Sequence, residues 1–424
     1  MRFSTRVPEL AWGFELKPLI RWSNGVAIRY GETRLHLDPL DSDPTIPNLF
    51  ITHAHYDHSK GFQFPLQRKY STKETNELYE ADTGRKAGNW EPIRVGRRVK
   101  LGEVEAEAHD AGHVLGSVQY EIITPDEIVV YASHLNFTDT LISKAAEVAP
   151  CDTLILEATF PAASQTLPPR ESVVADIVKW ALECVGERRV PTFATDPIGN
   201  AQELVRVFNT WTELPVIVHP RIARIAQVYA NNGVGLRFVD AATEEARSLV
   251  EDAKCVVIIP KRFDASRYGE FKVAHVTSWP TAAERAAGKV FTLSEQADLD
   301  QLLRFVKEAR PKTVFTFRGG SKVLAELVSK RFGMVGRALV ADVQRAKPTE
   351  AKLDEERVGA CEDFILNVIH VPDYTYEKEE VVARVFVEGF KLQEVEEALN
   401  RLTRKNLLRY SEVTGGYSLL KESP

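Results

Sequence analysis

The spacing of apolar positions changes about two-fifths of the way along the chain. Over the first 160 residues these positions fall in short runs: "GVAIRYGETRLHLDPL", "NLFIT", "VEAEAHDAGH", "SVQYEIITPDEIVVYAS" and "CDTLILEATF". Short β-rich runs bounded by turn residues predict strands. From about residue 170 helix-period segments, "ESVVADIVKWALECVGE" and "GNAQELVRVFNTW", alternate with the apolar runs "RVPTFA", "LPVIVHP" and "CVVIIP". That alternation predicts a second α/β unit. After about residue 286, "KVFTLS", "DLDQLLRFVKEA", "KTVFTF" and "SKVLAELVSKRFG" predict strand, helix, strand, helix, and the charged "RAKPTEAKLDEER" reads as a linker. Beyond it, "EERVGACEDFILNVI", "YEKEEVVARVFVEGF" and "LQEVEEALNRLTRKNLL" predict three helices, and "RYSEVTGGYSLL" a hairpin. Three helices followed by a hairpin is the winged-helix pattern.

Composition narrows the class. A chain of 424 residues, 44% hydrophobic and 27% charged, suits a globular protein of two or three domains. No run reaches the roughly 18 apolar residues of a membrane span, and the N-terminus lacks the apolar core of a signal peptide. The expectation is a cytoplasmic protein without a membrane partner. Cys151, Cys184, Cys255 and Cys361 lie far apart with no CxxC, so buried free thiols are expected rather than disulfides or a cysteine zinc site. A formal net charge of -6 leaves nucleic-acid contact to local patches. Arg94, Arg97, Arg98 and Lys100, then Lys261, Arg262 and Arg267, are candidates, each group also readable as a solvated surface. Arg401, Arg404, Lys405 and Arg409 form a candidate basic face on the winged helix. Glu394, Glu396 and Glu397 share its last helix, so a protein partner is an equal reading.

The chemistry concentrates in "ITHAHYDHSKGF", where His53, His55, Asp57 and His58 stand within six positions. Imidazole and carboxylate are ligands of zinc and other first-row divalent ions, and the loop follows a predicted buried strand. His53, His55, His58, His113 and His134 all fall in the first third of the chain, whereas His36, His109, His219 and His275 read as ordinary histidines.

HxHxDH at 53–58, preceded by "HLDP" with Asp38 and followed by "DAGHVLGS" with His113, resembles the metallo-β-lactamase superfamily. "CDTLILEATF", "IGNAQELVRVF", "FTLSEQADL" and "TVFTFRGG", in that order, are similar to its β-CASP branch. The nearest textures are those of ligase-associated DNA exonucleases and archaeal mRNA 3'-end processing factors. The resemblance spans roughly residues 15–345. It implies an α/β protein with a four-layer αβ/βα core that holds two zinc ions, an inserted β-CASP cap, and DNA or RNA in the cleft between them. The corresponding boundaries are 1–165 for the first part of the core, 166–285 for the cap, 286–346 for the closing part and 354–424 for the winged helix. By the resemblance, His53, His55 and His113 bind one metal, Asp57 and His58 the second, Asp38 orients ligands, and Glu157 is the acidic residue of the first β-CASP motif.

Three positions depart from that pattern. His134 stands where an aspartate bridges the metals, Gln296 where a histidine donates a proton, and Arg318 where a histidine completes the second site. A single ring nitrogen does not bridge, and a guanidinium repels a second cation. One zinc on His53, His55 and His113 is therefore expected, with His134 as a fourth ligand and two ions as the family alternative. Two functions follow. In the first, a one-zinc phosphodiesterase uses Asp57 to hold or deprotonate water, Arg318 to neutralise a phosphate oxygen and Glu295 to protonate the leaving group. In the second, an inactive β-CASP scaffold binds nucleic acid or a partner.

Overall fold

The computed structural model describes residues 17–159, 166–261, 263, 271–339, 355–369, 375–377, 381–382, 385, 390, 392–411 and 416–420. Two units result, Met1–Asp342 and Val343–Pro424.

The alternating runs of the N-terminal third fold as two sheets. The first comprises β1 (Leu19–Trp22), β2 (Val26–Tyr30), β3 (Thr33–Leu37), β4 (Asn48–Phe50), β5 (Arg68–Ser71) and β6 (Trp90–Pro92), paired in that order. The second contains β7 (Arg98–Leu101), β8 (Val104–Asp110), β9 (Val118–Ile123), β10 (Ile128–Ala132) and β11 (Thr153–Glu157), extended by β18 (Thr313–Phe317) and β19 (Val335–Ala338). Their inner faces share one core: Ile28, Leu35 and Phe50 meet Ala106, Tyr120, Val129 and Ile155. Phe50 stacks on Tyr70 at 4.9 Å and meets Tyr120 of the other sheet edge-on at 5.0 Å. Each such pair adds about 0.5–1.5 kcal/mol to the area buried. The Tyr120 hydroxyl also donates to the carbonyl of Ile51 at 2.9 Å, fixing the chain two residues before His53.

Helices cover the outside of both sheets. Tyr79 of α2 (Lys73–Thr83) packs with Ile51 and Phe62 beyond the first sheet. On the outer face of the second, Leu302, Phe305 and Val306 of α8 (Leu299–Ala309) and Leu324 and Val328 of α9 (Ser321–Phe332) pack on Val130, Leu154 and Val314. Asp298 caps α8 and exchanges bonds with Gln301, satisfying amides that the first turn leaves open.

β11 and β18 pair in parallel although 155 residues, 158–312, lie between them. That stretch contains a third, wholly parallel sheet: β14 (Val239–Asp240), β13 (Val216–Val218), β15 (Val256–Pro260), β12 (Val190–Thr195), β16 (Phe271–Thr277) and β17 (Lys289–Thr292). Fully buried parallel strands explain why "CVVIIP" shows no alternation. Residues of α3 (Arg170–Gly186), α4 (Asn200–Trp211) and α5 (Pro220–Asn231) pack on one face, and Ala246 of α6 (Glu244–Glu251) on the other. The sheet continues to Thr292, past the boundary expected at 285, because β17 pairs with β16. Ile198, Ile225 and Tyr229 of this region pack on Ala54, Leu78 and Val114, seating the insertion on the histidine loop.

The second unit contains α10 (Glu355–Val368), β20 (Thr375–Glu377), the helix Leu392–Arg404, and the hairpin β21 (Leu408–Ser411) and β22 (Gly416–Leu419). Tyr376 lies in β20, paired with β22, where the sequence pattern predicts the start of a helix. The expected linker through residue 354 lies outside the described residues.

Candidate metal centre

The histidine cluster forms where strand ends converge. Asp38 follows β3, His53 lies three residues past β4, His134 two past β10, Glu157 ends β11, and Arg318 follows β18. Carboxyl ends of parallel strands are the usual place for a site in α/β sheets. Two turns need positive φ. Asp38 has φ 45° and Arg318 φ 57°, followed by Gly319, where a Cβ would come within 2.5 Å of the Ala158 carbonyl.

His53, His55, His113 and His134 each offer a nitrogen, all four within 4.8 Å of one another. Each ring also has its other nitrogen near an outward oxygen. His53 Nδ1 lies 3.0 Å from Thr52 Oγ1, His55 Nε2 3.3 Å from the Ile198 carbonyl, His113 Nδ1 2.8 Å from the Glu295 carbonyl, and His134 Nε2 3.3 Å from Glu157 Oε1. Carbonyls only accept, so His55 and His113 donate outward and turn unprotonated nitrogens inward. His113 Nε2 then faces His55 Nδ1 at 3.0 Å and His134 Nδ1 at 3.3 Å. His53 Nε2 is buried without a hydrogen-bond partner among the described residues. Burial, with repulsion from the neighbouring rings, holds His53, His55 and His113 below the ordinary imidazole pKa. Facing lone pairs without a proton between them are what a cation resolves, and imidazole nitrogens so placed suit zinc.

Asp38 underlies this set. Its buried carboxylate accepts from the Thr52 amide (2.8 Å), Thr52 Oγ1 (2.7 Å), His58 Nδ1 (2.7 Å) and the Tyr131 hydroxyl (3.1 Å). Thr52 Oγ1 also lies 2.8 Å from Ser133 Oγ. Asp38 thus orients His58 directly and His53 through Thr52.

On the other side of the cluster sits Arg318. Its Nη1 is 2.8 Å from Asp57 Oδ2, 2.7 Å from His58 Nε2 and 3.3 Å from Glu157 Oε1, and Nη2 donates to the Asp57 carbonyl at 2.9 Å. The carboxylates of Asp57, Glu157 and Asp38 pull the His58 pKa up against burial, whereas the 2.7 Å approach of Nη1 requires a lone pair on Nε2. The contact geometry favours a neutral His58 with its proton on Nδ1. Burial opposes charge on Asp57 and Glu157, but the Arg318 guanidinium beside both favours their charged forms, and both pKa values are held low. Arg318 thus meets every side chain that the resemblance assigns to a second metal.

Other expected residues are placed differently. Glu295 contributes its carbonyl to His113, while its carboxyl packs against Gly199, where a Cβ would lie 2.2 Å from Oε1. Burial, reinforced by Asp196 and Glu203, pushes that carboxyl well above its usual range. Glu295 thus turns its carboxyl toward Gly199, in surroundings that disfavour its charged form. Gln296 Oε1 lies 3.1 Å from Trp279 Nε1, and its Nε2 lies 3.4 Å from His134 Nδ1.

Four of the candidate phosphate-binding cations are engaged in ion pairs, and Arg94, Arg97, Lys100, Arg404 and Arg409 are exposed. Arg98 pairs with Glu107 (2.8 Å) and Glu105 (3.4 Å), and Lys261 with Asp196 (2.9 Å). Arg94 and Arg97 are exposed, and Arg262 and Arg267 lie outside the described residues. In the second unit Arg401 binds Glu355 through two bonds (2.8 and 3.0 Å) and Glu397 at 2.9 Å, Lys405 pairs with Glu362, and Arg404 is exposed. Half of the expected basic face, Arg401 and Lys405, is thus paired within that unit, while Arg404 and Arg409 are exposed. Sequence reasoning missed Thr52, Ser133, Tyr131, Ile198 and Trp279, and only the position of Thr52 beside His53 offered a signal.

No family model matches the chain. It is 28% identical over 360 residues (76% of this chain) to a protein of Opitutus terrae named "Probable DNA ligase". It is 26% identical over 219 residues (44% of the chain) to endoribonuclease YSH1 of Yarrowia lipolytica, and 23% over 275 residues (55%) to cleavage and polyadenylation specificity factor subunit 3 of Dictyostelium discoideum. These alignments span 33%, 26% and 33% of the relatives' own lengths, so the chain matches about a third of each or less. A crystal structure of a protein of unknown function from Enterococcus faecalis V583 shares the fold with a TM-score of 0.53 at 14% identity, covering 69% of this chain and 89% of that one.

Proposed function

We propose that this chain, related by its motifs and its relatives to the β-CASP branch of the metallo-β-lactamase superfamily, is a metal-dependent phosphodiesterase of nucleic acid with a single zinc. The convergence of unprotonated nitrogens from His55, His113 and His134, with the orphaned Nε2 of His53, carries this reading. Relatives named for DNA ligation and RNA cleavage supply the substrate class, and the longest alignment makes DNA the first substrate to test. Two face-to-face sheets with helices outside each support a four-layer αβ/βα core, and the order helix, strand, helix, strand, strand supports a winged helix in the second unit.

Zinc held by His53, His55 and His113 would supply Lewis acidity toward a phosphoryl oxygen and acidify water, with His134 either leaving that position open or sharing an expanded five-coordinate site. The chain's own groups do the rest. Asp57, held ionised beside Arg318, is a poor proton acceptor and orients a water rather than deprotonating it. Arg318 retains Nε–H and one Nη2–H outside the bonds described, a fork for a phosphate oxygen. Glu157 holds His134 and Arg318 in place. Zinc-loaded protein is expected to hydrolyse end-labelled DNA or RNA, and the His53→Ala variant to be inactive.

A second reading, a nucleic-acid or partner-binding scaffold without hydrolysis, is favoured by the closure of Arg318 on Asp57, His58 and Glu157. Internal pairing of Arg401 and Lys405 favours a protein partner for the second unit. Failure of the zinc-loaded chain to cleave either nucleic acid would select the scaffold.

A further inference from the structure

We propose that the outer face of β1–β3 carries a phosphate-binding site, formed by Arg21, Arg29 and Arg34, that holds the backbone of a nucleic-acid strand outside the metal centre. The proposal takes its ligand from the nucleic-acid reading above, and does not depend on zinc or on hydrolysis.

Alternation brings the three arginines together. Val26, Ile28 and Tyr30 of β2 and Leu35 and Leu37 of β3 enter the shared core, so Ala27, Arg29 and Arg34 face the other way. In register, Leu19, Arg29 and Arg34 form one row across the three strands, and Arg21 stands beside Ala27 in the next. The small Ala27 leaves a dip among them, which Thr45 and Ile46 wall, giving a cavity of about 210 Å³.

Charge is unbalanced there. Arg29 and Arg34 are directly opposite, and like charges so placed destabilise an antiparallel pair. Neither has an ion-pair partner among the described residues: Arg29 Nε donates to the Gly31 carbonyl at 3.1 Å, and Arg34 Nη1 to the Thr45 carbonyl at 3.2 Å. Arg21 has only a distant partner, Asp43 at 3.7 Å, whose Oδ1 accepts from the Thr45 amide (2.9 Å) and hydroxyl (2.7 Å). Three guanidiniums thus share one carboxylate, in a chain whose formal net charge is -6. Their open forks match phosphate oxygens, and cations spread over two rows suit the repeated charges of a backbone better than a single small anion.

The cavity also lies near the metal centre. Arg34 precedes Asp38 by four residues along β3, roughly 13 Å at 3.3 Å per residue. About four nucleotides span that distance at 3.4 Å each.

Binding is measured on the full metal-free chain, with chelator present so that nothing is cut, by anisotropy of a labelled single-stranded DNA across a range of salt. Arg29→Ala with Arg34→Ala is expected to weaken binding about 10-fold or more at low salt and to flatten the logarithmic salt slope by about 1.4, at roughly 0.7 per phosphate contact. The double lysine variant, which keeps the charges and loses the forks, is expected to restore the slope and only part of the affinity. A purely structural pair would lower the urea midpoint on removal. Here the double alanine midpoint is expected to stay or rise, because opposed like charges are gone. Unchanged DNA affinity or slope in that variant overturns the proposal. If it fails to fold, Arg21→Ala is measured in the same way, and unchanged affinity and slope there overturn the proposal equally. Inorganic phosphate at matched ionic strength separates the two sources of the anion. Phosphate that raises the midpoint of wild type alone, with DNA affinity unaffected by the substitutions, would mark a free-anion site and overturn the strand assignment. Wild type that binds no DNA defeats the nucleic-acid reading and this one together. Wild type that binds DNA through these arginines and never cleaves it defeats the nuclease reading alone.

Discussion

Arg318 Nη1 lies 2.7 Å from His58 Nε2, although the two residues are 260 positions apart in the chain. One nitrogen thus occupies the lone pair that a second metal would need, and the same guanidinium neutralises Asp57 and Glu157.

The stoichiometry follows. Protein purified without chelator is expected to retain about one zinc per chain, held by the four-histidine set. Elemental analysis after extended dialysis checks this, and two retained equivalents would sink the single-ion site.

Arg318→His tests the arginine's part in turnover. If its fork holds phosphate, the variant is expected to lose about 10²-fold in cleavage, the scale of one preorganised charge donor. His134→Asp, Gln296→His and Arg318→His together are expected to bind two zinc ions and cleave faster than wild type, because ligands of one site act jointly. A two-zinc triple variant inert on both DNA and RNA would show that other positions limit activity.

Asp38→Ala leaves the Thr52 amide, the Thr52 hydroxyl and the Tyr131 hydroxyl without their acceptor in a buried place. The loss is expected to be about 3–5 kcal/mol, as for a broken buried charged network. A urea midpoint within error of wild type would contradict the role given to Asp38.

Acidity is expected to weaken the metal-free protein. His53, His55 and His113 are held below the ordinary imidazole value, so as pH falls below about 6.5 the unfolded chain takes up protons that the folded one refuses. Stability is present above that pH and lost below it, by up to about 1.4 kcal/mol per pH unit for each ring. Urea midpoints between pH 6.5 and 5 measure this, and a flat profile would mean that the rings take protons freely.

Arg401→Ala with Lys405→Ala is expected to leave the salt dependence of DNA binding unchanged, since both cations are already paired with Glu355, Glu397 and Glu362. A slope reduced by one or more would show that these cations release their glutamates to phosphate.

The ligand positions were legible in sequence because ligand types stood densely at fixed spacing after an apolar strand. His53, His55, His113 and His134 do come together. What surrounds them was not legible. The carbonyls of Ile198 and Glu295 act as backbone acceptors, and no side-chain pattern announces a backbone oxygen. Lys261 and Arg401 looked like phosphate ligands because a one-dimensional pattern shows a charge without the acid that folding brings beside it. β20 was hidden for a similar reason: Thr375–Glu377 forms a strand through its pairing with β22, not through any periodicity in three residues.

The insertion between β11 and β18 has a consequence during synthesis. All four clustered histidines have been made by residue 134, but the backbone acceptors of His55 and His113 at Ile198 and Glu295 come later, and Arg318 later still. At about 5–20 residues per second, the 184 residues from 134 to 318 take roughly 10–40 s to translate. For that interval a nascent chain carries the ligands without the groups that choose their tautomers or the arginine that closes the neighbouring site. Zinc offered during that interval would meet histidines whose inward nitrogens are not yet fixed by the Ile198 and Glu295 carbonyls.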